Sequence, residues 1–154
     1  MTTWQLTIDC ADPSVMVRFW GPALGYVVQP PPEGHETWND WYLSVGVPPD
    51  ELDLDGDGSD RLMDPDGHGP TIWFQPVPEP KAVKNRLHLD LYPAGRDRSR
   101  PMDERRALVD EAVNRLLEAG ASIFRRYPED FDDTDVEGYF RTLRDPEGNE
   151  FCVS

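Results

Sequence analysis

Cysteine is scarce in this chain, since Cys10 and Cys152 are the only two among 154 residues. Two cysteines provide neither a disulfide framework nor, by themselves, a four-ligand zinc site, so we expect both to be free thiols. Basic residues are also few: 15 Lys and Arg stand against 30 Asp and Glu, and the net charge is −15. Without a basic stripe to neutralise phosphates, nucleic acid is not an expected partner.

Long apolar runs are absent as well. No stretch approaches the roughly 20 residues that a membrane-spanning helix needs, and the start MTTWQLTIDC lacks the basic region and cleavage site of a signal peptide. We therefore expect no membrane partner and a cytoplasmic location. The chain does contain 38% apolar residues, which is enough to build a hydrophobic core at this length.

The first part of the chain, about residues 4–79, has the pattern of a strand, a helix and three further strands. WQLTIDC, residues 4–10, alternates and places three polar side chains on one face: Gln5, Thr7 and Asp9. A helix is predicted next, with Asp12 as N-cap, Pro13 at its first position and Pro22 expected to kink it or end it early. The three further strands are predicted at residues 26–29, 40–45 and 71–77.

The second part, about residues 85–154, repeats this order after the linker PVPEPKAV. NRLHLDLYP alternates and places His88, Asp90 and Tyr92 on one face. The apolar stripe of residues 103–119 predicts a helix that stops at Gly120, and strands are predicted in SIFRRY, GYFRTLR and NEFCV. DPDG at 64–67 also matches DPEG at 145–148, so we interpret the chain as a weak internal duplication.

Five stretches resemble the vicinal oxygen chelate superfamily, and within it the small glyoxalase-like proteins common in bacteria. They are IDCADPSVMVRFWGPALGY, FQPVPEP, NRLHLDLYP, LLEAGA and LRDPEGNEFCV, which together span nearly the whole chain except an acidic insertion at about 46–63. The resemblance implies a single α+β domain of two βαβββ modules that form a cupped eight-stranded mixed sheet with the helices outside. It also implies a homodimer and a ligand site in the concave face of the sheet.

The same resemblance implies a divalent metal as cofactor, held by His, Gln or Glu side chains inside the cup. Residue by residue, the ligand positions fall on Gln5, Gln75 and His88. The family's last ligand is a glutamate seven residues after the Asp of the DP-x-G turn, and here that position is Cys152. Glu150 lies two residues earlier on the same predicted face, about 6–7 Å along the strand.

Several of these residues have alternative interpretations. His88 fits a metal ligand, a general base or a polar strand residue. Asp9 and Asp90 occupy equivalent positions and fit either an acid/base pair or supports of the cup's rim. Cys152 fits either a nucleophile or an inert thiol, and Trp73 shares strand parity with Gln75, so it fits either a ligand-stacking or a core position.

Residues 53–64, DLDGDGSDRLMD, match the letters of a calcium-binding loop, with aspartates at positions one, three, five and twelve. The upstream PPDEL does not provide the entering helix that such loops have, and Asp64 is shorter than the usual glutamate. The alternatives are bound calcium and a solvated acidic loop.

The sequence thus predicts a glyoxalase-like protein that binds a small organic molecule in the concave sheet, with a metal-dependent lyase or isomerase as the enzymatic hypothesis. The alternative is a non-catalytic protein that sequesters a small molecule or antibiotic without metal. The acidic charge fits a cationic ligand and also fits a requirement for solubility alone.

Overall fold

The computed structural model describes residues 2–97, 99–129 and 138–154. The chain divides into two compact units, and the boundary lies between Pro80 and Lys81. Each unit contains one four-stranded sheet. No helix in the described ranges is both long enough and apolar enough to cross a membrane.

The first unit begins with strand β1 (Gln5–Cys10) and helix α1 (Pro13–Leu24). Strand β2 (Val27–Val28) precedes helix α2 (Trp38–Ser44) and a short 3-10 helix at Pro49–Glu51. Strands β3 (Arg61–Met63) and β4 (Thr71–Pro76) complete the sheet in the order β1-β4-β3-β2. β1 and β4 are parallel, and the other pairs are antiparallel.

The second unit contains strand β5 (Asp90–Leu91), helix α3 (Met102–Glu118) and strand β6 (Ser122–Tyr127). Strands β7 (Phe140–Arg144) and β8 (Glu150–Val153) follow, and the sheet order is β5-β8-β7-β6. β5 and β8 are parallel, whereas the other neighbours are antiparallel. The first strand of each unit therefore pairs in parallel with the fourth, which confirms the predicted α+β class and its two βαβββ modules.

Each unit has an apolar core between its main helix and its sheet. In the first unit the buried side chains are Met16, Phe19, Trp20, Leu62, Ile72 and Phe74. In the second they are Val109, Val113, Leu116, Leu143, Phe151 and Val153. These sets match the apolar stripes of α1 and α3 and leave one polar face on each sheet.

The prediction of a strand at 40–45 is wrong, because residues 40–44 belong to α2 and Val45 is its C-cap. Thr37 and Asp40 form a capping box, in which each side chain accepts a hydrogen bond from the other residue's backbone N–H at 3.0 and 3.1 Å. The helical spacing then brings aromatic rings together: the Trp38 and Trp41 centroids lie 5.5 Å apart. This local cap and stacking favour a helix over the strand that the aromatic residues suggested.

Of the two alternatives for Pro22, the early end of α1 is wrong, because the helix continues to Leu24, and the kink stays a prediction. It ends at Gly25, which adopts a left-handed conformation with φ of 70°. The Gly21 carbonyl accepts hydrogen bonds from the N–H groups of Gly25 and Tyr26, so the last turn is closed despite the proline.

Two other elements differ in extent from the sequence pattern. The last three residues of the predicted acidic insertion, residues 61–63, form β3. In the stretch NRLHLDLYP only Asp90 and Leu91 are in a strand, and the N–H of Asn85 donates to the side chain of Glu150 instead of a neighbouring strand. The alternating pattern is thus longer than the strand it produces.

Candidate functional site

The polar face of the second sheet brings three predicted site residues together. Asp90 on β5 lies opposite Cys152 on β8 in parallel register, and His88 comes two residues before Asp90. One potential ligand atom from each of the three side chains lies within 4.8 Å of the other two. In the described part of the chain, this is the group of His, Cys, Asp and Glu side chains that is arranged to hold a metal ion.

The three side chains differ in exposure and in their contacts. His88 Nε2 lies 3.3 Å from Asp90 Oδ1, and both side chains are exposed, at 41% and 45%. Cys152 is half-buried, and its Sγ lies 3.5 Å from Thr142 Oγ1 on β7. The thiol is thus anchored in the sheet, while the imidazole and the carboxylate remain accessible from solvent.

The polar face of the first sheet carries the other predicted site residues. Gln5, Thr7 and Asp9 are exposed, and their neighbours on β4 are Thr71, Trp73 and Gln75 in that order. Gln75 therefore lies beside Asp9, and Trp73 lies beside Thr7. Gln5 and Gln75 are offset by four residues, or roughly 13 Å along the strands. The predicted metal set of Gln5, Gln75 and His88 stays a prediction.

The family of glyoxalase-like domains matches this chain over residues 5–154, which is nearly its whole length. The chain belongs to this family. Its place in the vicinal oxygen chelate superfamily follows from the same match, which confirms the resemblance seen in the sequence. Membership supports a fold that binds small molecules.

Solved structures of similar fold agree with this assignment. A hypothetical protein from S. aureus matches with a TM-score of 0.53 and 14% identity, over 99% of this chain and 92% of its own. A glyoxalase/bleomycin resistance protein/dioxygenase family enzyme from Burkholderia phytofirmans matches with a TM-score of 0.50 and 16% identity, over 97% of this chain and 94% of its own. At these identities the likeness shows the fold alone. No functionally curated protein matches the chain significantly.

The donor set of this glyoxalase-like protein fits a divalent metal such as zinc. Imidazole nitrogen, thiolate sulfur and carboxylate oxygen are all zinc ligands, and a thiolate favours zinc over calcium or magnesium. Two ligand atoms of a tetrahedral zinc ion lie roughly 3.3–3.8 Å apart. The 3.3 Å between His88 and Asp90 already meets this requirement. The set includes Asp90, which the sequence comparison did not count as a ligand.

Glu150 takes part in different contacts, although it is only two residues from Cys152. Its side chain is buried, and Oε2 accepts hydrogen bonds from the Asn85 N–H at 3.0 Å and from Lys81 Nζ at 3.1 Å. The Asn85 N–H, followed by the Lys81 ammonium, holds the pKa of Glu150 at about 2 against an ordinary 4.5. Glu150 thereby ties the segment that leads to His88 onto β8.

The acidic loop does not have the side-chain arrangement of a calcium loop. Asp64, at position twelve, accepts hydrogen bonds from the N–H groups of Asp66, His68 and Gly69 in the turn that follows. The carbonyl groups of Asp53 and Gly56 accept hydrogen bonds from Asn39 Nδ2. The acidic side chain that would close the calcium site is thus used to hold a turn.

Asp60 is a buried residue that the sequence did not single out. Its Oδ2 accepts hydrogen bonds from Tyr42 Oη at 2.5 Å and from Trp73 Nε1 at 2.7 Å, and its Oδ1 lies 3.3 Å from Arg61 Nη1. Burial and the bond to Asp60 raise the pKa of Tyr42 to about 12, so Tyr42 remains a donor at neutral pH. In the sequence, Asp60 is one carboxylate among many in an acidic stretch, and only the tertiary structure distinguishes it.

Proposed function

We propose that this chain binds a small molecule with the help of a divalent metal ion held by His88, Asp90 and Cys152. The chemistry of these donor atoms favours zinc. The cluster of these three side chains, with donor atoms within 4.8 Å of one another, carries the proposal. A bound divalent ion would act as a Lewis acid towards substrate oxygens. The reaction class expected for such a protein is that of a lyase or isomerase.

The three residues would have different roles at the metal site, because they differ in exposure. Cys152 is held in the sheet beside Thr142 and supplies a fixed donor. Asp90 Oδ1 and His88 Nε2 lie 3.3 Å apart and would bind the same ion from its solvent-facing side. Because both of these side chains are exposed, the site leaves an open side on which a small organic substrate would bind.

The second candidate function is metal-free binding of a small molecule, as in a sequestering protein. It is supported by the contact between His88 and Asp90, because the two side chains satisfy each other without an ion. In this case the polar face would offer hydrogen bonds to a ligand and would leave it unchanged.

Metal analysis separates the two functions. We expect protein purified without chelator to contain a stoichiometric ion, and chelator-treated protein to gain thermal stability on addition of zinc, because binding to the native state stabilises it by mass action. His88→Ala should weaken zinc binding by roughly 100-fold, as loss of a direct ligand costs at least as much as loss of its supporting partner. His68→Ala, an exposed histidine in the first unit, is the matched control. Absence of metal and of any shift with zinc, nickel or manganese would leave only the metal-free function.

The identity of residue 152 provides a second test. The family resemblance places a glutamate where this chain has Cys152, so Cys152→Glu should move the preference from zinc towards manganese, a harder ion. Cys152→Ser keeps the approximate size of the side chain. It should weaken the binding of zinc without strengthening the binding of manganese. Equal metal preferences in the two variants would show that residue 152 is not a ligand.

The expected assembly and location belong to the same proposal. The resemblance implies a homodimer, which light scattering on the purified chain measures directly. Neither cysteine forms a disulfide in this structure, and reduced thiols fit the cytoplasm. A monomeric mass at micromolar concentration would remove the dimer from the proposal without affecting the metal site.

A further inference from the structure

The first unit contains a second candidate site, a cavity of about 410 Å³ between the acidic loop, α2 and the end of β4. This volume lies in the range of small-molecule sites and is far larger than the space one ion occupies. Five of the side chains that line it are carboxylates: Asp12, Glu51, Asp53, Asp57 and Asp60. Within the described ranges no Lys, Arg or His side chain lines it. A concave surface lined by charge of one sign concentrates ligands of the opposite sign.

Asn39 holds the part of the acidic loop that forms one wall of this cavity. Asn39 is only 7% exposed, and its Oδ1 is buried without a hydrogen-bond donor among the described residues. The orientation of the amide is fixed, because Nδ2 donates to the carbonyl groups of Asp53 and Gly56 at 2.8 and 2.9 Å. Its Oδ1 has almost no accessible surface and faces the Cα of Gly58, so Asn39 fixes the wall of the cavity and leaves ligand contact to the other lining residues.

Next to the cavity, the aromatic cluster of the first unit already binds a cation of the chain itself. Arg61 places its guanidinium 4.3 Å from the ring centroid of Trp38 and 5.1 Å from that of Trp73, and it pairs with Asp60. Trp73 and Asp60 also line the cavity. The same indole and carboxylate chemistry that binds a guanidinium internally is thus available next to a space that a ligand can enter.

We infer that this cavity is a binding site for a small organic cation, an ammonium or guanidinium compound. The carboxylates supply the charge, and Trp73 and Tyr42 supply aromatic surface. A metal ion is a poorer occupant because the cavity is too wide for one. In addition, these carboxylates are absent from the metal-capable group found in the described part of the chain. The inference does not depend on the metal site of the second unit.

The test uses the full chain in the presence of chelator, with benzylamine and phenylguanidine as cationic probes and benzyl alcohol and benzoate as neutral and anionic controls. We expect calorimetry to show one cation bound per chain, weaker binding at high ionic strength, and at least about tenfold weaker binding of benzyl alcohol. All five tryptophans precede Pro80, so an indole N–H shift of Trp73, assigned with Trp73→Phe, localises the ligand to this unit. The inference fails if neither cation binds, or if benzyl alcohol binds as tightly as benzylamine.

Two variants of equal charge on the same loop make the test specific. Glu51 lines the cavity and Asp55 does not, and both are exposed. Glu51→Gln should weaken the binding of benzylamine about two- to fivefold, whereas Asp55→Asn should leave the affinity unchanged. Asp60→Asn should weaken it by about tenfold or more, because it removes the buried charge. Equal losses in the two loop variants would reduce the effect to general surface charge. A larger thermal shift with calcium than with either cation, measured after the chelator has been removed, would replace the inference with an ion site.

Discussion

The two units share one topology but carry different chemistry on their polar faces. In each sheet the first strand pairs in parallel with the fourth, and the third and second strands follow. The second unit places an imidazole, a thiol and a carboxylate within metal-binding distance, whereas the first places amide, hydroxyl and carboxyl groups along β1 and β4. The first unit has its dense polar contacts elsewhere, around the buried Asp60.

This difference concerns the repeated frame, by which we mean the strand order and pairing that the two units share. The frame determines where side chains lie, but it does not determine their chemistry. Equivalent positions of the first strands hold Asp9 and Asp90, yet Asp90 contacts His88 while Asp9 lies beside Gln75. The helix α2 and the acidic loop, which have no counterpart among the described residues of the second unit, supply the wall of the first unit's cavity. Mainly loop and helix residues in the first unit, and residues on or just before the strands in the second, thus provide the two candidate sites.

The largest expected effect tests whether the two frames are equally important for stability. Phe74 on β4 and Phe151 on β8 are fully buried at corresponding places in the two sheets. Phe74→Ala and Phe151→Ala should each lower the free energy of unfolding by about 3–5 kcal/mol, because each leaves a cavity in a core. Tryptophan fluorescence follows the first unit, since all five tryptophans lie in it, and far-UV circular dichroism follows both. A cost below about 1 kcal/mol for one variant only would break the equivalence of the frames.

An intermediate effect is expected at Glu150, a contact of the second unit only. Glu150→Gln should lower the free energy of unfolding by about 1–3 kcal/mol at neutral pH, because it removes a buried charged acceptor. The folded pKa of about 2 lies below the ordinary 4.5, so the carboxylate stabilises the fold above about pH 4.5 and loses this effect as the pH falls towards 2. Denaturant titrations of the wild type and the variant should therefore converge in acid.

The control for this prediction is Glu118→Gln, an exposed carboxylate at the end of α3. It should change stability by less than about 0.5 kcal/mol at any of these pH values. A constant difference between Glu150→Gln and the wild type from neutral to acid pH would mean that packing, and not charge, makes Glu150 important.

Local patterns in the sequence were sufficient for the repeated frame. Alternation identified β1 and the polar face that carries Gln5, Thr7 and Asp9, and the apolar stripe of residues 103–119 gave α3 to within one residue at each end. The family resemblance then placed His88 and Cys152 on the site, where the structure brings them together. These features are encoded within short stretches, and so they are readable from one sequence.

Contacts between distant residues were not readable in this way. Asp60 is distinguished from its acidic neighbours only by Tyr42 and Trp73, which lie 18 and 13 residues away. In the stretch before β5, the Asn85 N–H donates to Glu150, 65 residues later, and not to a neighbouring strand. The helix α2 was missed for a different reason: its aromatic residues favour strands by propensity, and the cap at Thr37 overrides that preference.

The smallest expected effect concerns that cap, the capping box at the start of α2 in the first unit. Thr37→Ala removes the hydroxyl that accepts the Asp40 N–H and should lower stability by about 1 kcal/mol, as loss of an N-cap usually does. Thr37→Ser keeps the hydroxyl and should remain close to the wild type. Because α2 carries Asn39 and Tyr42, the alanine variant should also loosen the wall of the cavity, whereas zinc binding at His88 should not change. If Thr37→Ala weakened the binding of zinc as much as the binding of benzylamine, the two sites would not be independent. The assignment of one separate site to each unit would then be wrong.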